Sequence, residues 1–228
     1  MEFALSRLFF AACRLLVSGR PSIPALAACL LATLPAPAVI VDRVAISAGN
    51  RVITQSEIEL RVRLSAFQNG VTPEITLAAR KEAAGRLLDQ KLVEREMDVG
   101  NYSRLNDEGR QQLLREYAEQ YFQSDAAAMG RALAGYGLTA RDLEDDLARQ
   151  ADLLTFLNLR FRPAVQVSDE DVQTYYRTKT SGQTPLAELR SQIETILINE
   201  RADQELDAWL KDQRKRTRIG YQDKELAP

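Results

Sequence analysis

The chain has 228 residues, of which 45% are hydrophobic and 27% charged, a composition of folded rather than disordered protein. It has no histidine, two cysteines and three methionines, which removes His-based triads, the HExxH pattern, His-ligated metals, thiolate clusters and a Met-rich groove. A net charge of −2 argues against a polyanion binder, so nucleic acid is not an expected partner.

Residues 1–38 read as an export signal. Arg7, Arg14 and Arg20 form a basic leading region in which Glu2 is the one acid. An apolar stretch from Ile23 to Leu34 follows and ends in Ala36-Pro37-Ala38, the small-x-small pattern of a cleavage site. The stretch is too short and too proline-rich for a membrane span, which needs roughly 20 apolar residues. Leu26-Ala27-Ala28-Cys29 is similar to a bacterial lipobox, so a lipid anchor at Cys29 is the lesser alternative. Cleavage removes both cysteines. It also removes three of 30 basic residues and one of 32 acidic ones, leaving 27 and 31 and a net charge of −4. The remaining chain of about 190 residues needs no disulfide and is long enough for one good-sized core.

Val41 to Ile46 alternates in polarity, Ala48-Gly49-Asn50-Arg51 is a turn signal, and Val52-Ile53 follows, which predicts a short hairpin. Thr54-Gln55-Ser56-Glu57 is a capping box that starts a helix running to about Gln68. Thr72-Pro73-Glu74 predicts the start of a second helix, which runs to about Met97 and closes at Gly100. A third helix is expected from Asn106 to Phe122, and a fourth, capped by Ser124, stops at Gly135-Tyr136-Gly137. Thr139 begins a fifth helix, with Pro163 beyond its end. Val165-Gln166-Val167 reads as a brief extended piece, and Ser168 caps a short helix containing Val172, Tyr175 and Tyr176. Residues 178–185 read as a polar linker, Leu186 to Gln213 as a long helix, Thr217 to Tyr221 as a closing strand, and 222–228 as a loose tail.

Three patterns look like chemistry and read better as structure. Gly135-Tyr136-Gly137-Leu138-Thr139-Ala140 has the letters of a dinucleotide fingerprint, but it joins two helices where the fingerprint must follow a strand. Asp142, Asp145 and Asp146, and Asp169, Glu170 and Asp171, mostly fall in first turns of helices, where acids complement the dipole. Lys211, Arg214, Lys215, Arg216 and Arg218 lie at a helix C-terminus and read as a solvated end. No catalytic residue, cofactor or metal site is expected. The remaining resource is aromatic. Tyr117, Tyr121, Phe122 and Tyr136 cluster around the third and fourth helices, and Trp209 lies on the long one. Core filling is the plain reading of these rings. The sharper reading is a partly exposed cradle for extended peptide.

Val41-Asp42-Arg43-Val44, followed by Val52-Ile53-Thr54-Gln55-Ser56-Glu57-Ile58, resembles the opening of the SurA-type periplasmic chaperones and parvulin-type foldases. Residues 87–93 resemble the family's second helix, and residues 165–176 resemble the segment before its isomerase domain. In the family, a parvulin domain of roughly a hundred residues follows that segment, within the usual domain range. Here only Thr178 to Pro185 stands at that place, and the histidines of parvulin sites are missing.

The resemblance therefore implies a mainly α chaperone core, with 39–177 and 186–221 completing one domain. In it the hairpin pairs with the C-terminal strand and the long helix packs back on the N-terminal helices. It implies an ATP-independent holdase of a Gram-negative-type periplasm whose partners are unfolded polypeptides, outer-membrane protein precursors above all. Residual prolyl isomerase activity and an envelope assembly module are the rival readings.

Overall fold

The computed structural model describes residues 42–180 and 182–227. The export signal, Cys29 and the start of the first expected strand lie outside the described residues. Within them the protein is mainly helical, with a small antiparallel sheet, as the sequence predicts.

β1 (Val44–Ala48) turns through Gly49 and Asn50 into β2 (Arg51–Thr54). Gly49 has a φ of 62°, which a residue without Cβ adopts at no steric cost. Thr54 ends β2 and caps α1 (Gln55–Gln68) in the same residue. Its hydroxyl accepts from the Glu57 N–H at 3.3 Å, and its own N–H donates to the Glu57 carboxylate at 2.8 Å. This reciprocal box leaves no loop between strand and helix, so the direction of α1 is set by the sheet.

α2 (Leu77–Val99) starts later than the Thr72-Pro73 signal predicts. Thr76 supplies the competing cap, accepting from the Ala79 N–H at 3.2 Å. α3 (Asp107–Phe122) starts at the Asn106 cap and stops as Gln123 and Ser124 take left-handed backbone, with φ of 52° and 64°. An N-cap residue needs extended backbone, so Ser124 cannot serve, and Asp125 caps α4 (Ala126–Gly135) instead. α5 (Ala140–Arg160) begins with a Thr139–Asp142 capping box. A 3-10 turn (Arg162–Ala164) and an extended stretch lead to α6 (Asp169–Lys179). Val165–Val167 pairs with no strand; the Arg201 guanidinium donates to the Gln166 carbonyl instead.

α6 runs two residues into the expected linker, and the connection to α7 (Leu186–Arg216) is closed by the Tyr176 hydroxyl donating to the Thr184 carbonyl at 2.8 Å. The Asp171 carboxyl is held well below its usual range, first by the Arg201 guanidinium and then by Ser168. The Arg201 bond clasps α6 to α7, its main packing partner. β3 (Ile219–Tyr221) then pairs with β1, giving the order β2-β1-β3 with Ile46 opposite both Ile53 and Tyr221.

Three apolar clusters hold the described fold. The first joins the sheet, α1 and α2 through Ile46, Ile53, Ile58, Leu87 and Leu88. The second joins α1, α3, α4 and α5 through Leu64, Ala118, Leu133 and Leu143. The third joins α2, α5 and α7 through Met97, Phe156, Ala202 and Trp209. Because α2 enters the first and third clusters and α5 the second and third, neither helix can shift without disturbing two cores.

The C-terminal residues are not loose as the polar sequence suggests. The N–H groups of Gln222 and Asp223 donate to the Ala45 carbonyl at 3.0 and 3.1 Å. Asp223 pairs with Arg80 of α2 at 2.6 Å, and a 3-10 turn (Lys224–Leu226) drives Leu226 into the first cluster, where it is 5% exposed. One buried leucine and a carbonyl that accepts two N–H groups outweigh the polarity of the surrounding residues. Leu226→Ala is expected to lower unfolding stability by about 2–3 kcal/mol, as for other buried leucines. Denaturant unfolding reads this; an unchanged midpoint is the result a loose tail would give.

Candidate functional site

Tyr117 and Tyr121 are four residues apart on α3 and so share a face. Their ring centroids are 4.6 Å apart, and Tyr117 lies 6.4 Å from Phe122. Phe67 at the end of α1 completes the group, 6.3 Å from Tyr117 and 5.4 Å from Tyr136 with its edge toward the ring. The second apolar cluster lies beneath these rings. Tyr121 stands out of it, 61% exposed. The Tyr117 hydroxyl is pushed up from its ordinary value by burial and then by Tyr121. Four of the five expected site residues therefore meet at the ends of α1, α3 and α4. Phe67, from the end of α1, joins them.

Trp209 does not join this group. It lies in the third cluster, 5.3 Å from Phe156 and 6.2 Å from Phe161. The Arg160 guanidinium sits 5.8–5.9 Å from the centroids of all three rings. Trp209 falls on the C-terminal half of α7, the half that returns to α2 and α5, so the expected aromatic cradle is two separate aromatic groups.

A second feature was not foreseen. A cleft of ≈ 280 Å³ opens between α2, α5 and α7, with Arg61 of α1 in its wall. Val93, Met97, Leu153, Leu206 and Leu210 make its apolar lining. Asp146 stands in the wall, 1% exposed. It accepts from Arg61 Nη1 at 2.6 Å, Gln68 Nε2 at 3.0 Å, Gln150 Nε2 at 2.8 Å and, more weakly, Arg149 Nη2 at 3.4 Å. A buried carboxylate is tolerable only with such partners. The Arg149 Nε is buried with no hydrogen-bond partner, a state that costs about 1–3 kcal/mol.

The remaining charges of the cleft are in ion pairs, with Arg86 held by Glu82 and Arg51 and Arg104 each shared with Asp98. Asp89 pairs with Arg214 at 2.7 Å, Glu94 with Arg51 at 3.3 Å, and Asp152 with Arg104 at 3.6 Å. Arg104 also holds the Asp98 carboxyl below its usual value, with Arg51 adding to the effect. Arg214, expected at a solvated helix end, instead ties α7 to α2, and its guanidinium is held protonated even more firmly by Asp89. Asp146 likewise departs from the reading of a helix-start acid. Asp142 occupies the N3 capping position; Asp146 lies one turn further and faces inward.

Among the described residues, no group of three or more His, Cys, Asp or Glu is placed to hold a metal ion. Nor is any described helix long and apolar enough to cross a membrane. Compared with protein-family models and with curated proteins, the chain finds no match.

Asp146→Ala is expected to destabilise the protein by about 3–5 kcal/mol, because it leaves Arg61 and Arg149 without their shared counter-charge in a mostly buried site. Denaturant unfolding of the variant measures this. A loss below about 1 kcal/mol is what a solvated surface acid would give.

Proposed function

We propose that the chain is an ATP-independent holdase of the bacterial periplasm that binds unfolded polypeptides, outer-membrane protein precursors among them. The observation that carries this reading is the aromatic face of Phe67, Tyr117, Tyr121, Phe122 and Tyr136, which presents Tyr121 to solvent over a fixed core. Rings offer large contact area with little rotamer freedom to lose, and a π-face meets most apolar side chains about equally well. Such contact is weak, sequence-tolerant and reversible without nucleotide, which is what holding an unfolded chain requires. The opening residues that resemble the SurA-type chaperones support the same reading, as does the short Lys179-to-Leu186 connection where that family carries its isomerase domain.

The purified protein, added at near-stoichiometric amounts without nucleotide, is expected to suppress the light scattering of an outer-membrane protein diluted from urea. Tyr121→Ser should raise the amount needed several-fold while changing stability by no more than about 0.5 kcal/mol, since the side chain is mostly exposed. Absence of suppression by protein shown to be folded overturns the holdase reading.

A further inference from the structure

We infer that the outward face of α7 binds a second copy of this chain, the two α7 helices lying antiparallel about a two-fold axis at position 209.

Six charged side chains carry this inference. Glu200, Asp203 and Asp207 are followed along the chain by Lys211, Lys215 and Arg218. The first five lie on α7 within about a third of its circumference, at 3.6 residues per turn. Arg218 follows just beyond the helix end. All six are exposed, and none has an ion-pair partner among the described residues. The opposite side of this half of α7 is the buried one, where Ala202 and Trp209 enter the third cluster.

The signs on this face are segregated in a way that does not serve a lone helix. Asp203 and Asp207 are like charges four residues apart, as are Lys211 and Lys215, and such pairs destabilise an isolated helix. The helix dipole accounts for Lys215, near the C-terminal end. Its influence fades within the first and last turns, however, and the three acids lie in the interior of a 31-residue helix. Elsewhere on α7 the charges pair locally, Arg190 with Glu194 at 3.0 Å and Arg216 with Asp212 at 2.8 Å, both four apart. Asp207 and Lys211 have the same spacing and form no ion pair.

The face is complementary to itself. Read in reverse, acids and bases exchange places. An antiparallel second copy therefore sets its Lys215 opposite Asp203, its Lys211 opposite Asp207 and its Arg218 opposite Glu200. All three pairs share the midpoint 209, as a two-fold contact demands, and the symmetry repeats each pair. Such a contact closes on itself and gives a dimer rather than a filament. Ala208, exposed beside the axis, lets the backbones approach. Surface ion pairs are individually weak, so the dimer is held by the set and yields to salt.

Sedimentation of the full chain over a range of protein concentrations tests this. A reversible dimer is expected at about 50 mM salt, with its association constant at least about tenfold lower at about 500 mM. Lys211→Glu with Lys215→Glu makes the face wholly acidic on α7; Asp203→Lys with Asp207→Lys makes it wholly basic. Each double variant alone should be monomeric, and an equimolar mixture of the two should associate, which a variant that had merely unfolded would not do. If a charge reversal unfolds the chain by far-UV circular dichroism, Lys211→Gln with Lys215→Gln removes the same pairs without adding charge and should give the same loss of dimer. A wild-type chain that stays monomeric at low salt overturns the inference. So does a dimer that persists in either variant, which places the contact elsewhere, or a mixture of folded variants that fails to associate.

Discussion

The carboxylate of Asp146 is the constraint on which the helical body depends. It sits on α5 and draws Arg61 and Gln68 of α1 to it, so two helices far apart in sequence are held at one buried charge. Apolar packing is non-directional and tolerates rotation of a helix about its axis. A buried ion does not, because any rotation that separates the pair leaves charge uncompensated in a medium of low dielectric. Phe67, at the end of the same α1, meets the rings of α3 and α4, and Arg61 of α1 stands in the wall of the cleft.

Those two surfaces differ in what they can distinguish. The aromatic face has rings, one exposed, and a firm base of Leu64, Ala118 and Leu133. The cleft combines an apolar lining with ion pairs set in its wall.

Much of the fold was legible because its signals are local. The Thr54–Glu57 box, the helix start at Thr139, the Ser168 cap and the Gly49-Asn50 turn each depend on residues within a few positions, and each forms as read. The errors arose where two local signals compete or where packing decides. Thr76 displaces Pro73 as the start of α2, and the left-handed backbone at Ser124 passes the cap of α4 to Asp125. The aromatic face was legible in part, because Tyr117, Tyr121 and Phe122 lie on one helix and Tyr136 on the next. The cleft was not. Asp146 looks like its neighbours Asp142 and Asp145 in the sequence, and only the approach of α1, 78 and 85 positions away, shows it to be a buried counter-ion. Leu226 was hidden in the same way, as one apolar residue in a polar end whose partners are the first strand and α2.

The strand order β2-β1-β3 has a temporal side. Ser47 and Gln222, which hydrogen-bond across the sheet, are 175 positions apart. Contacts of such separation close late, since the loop entropy between them must be overcome first. During synthesis at roughly 5–20 residues per second, one edge of β1 has no strand to pair with for about ten to thirty-five seconds. An open edge of that kind is a template for pairing with another chain. The protein thus passes, on every round of its own synthesis, through an interval in which its first strand is open to misassociation with other chains.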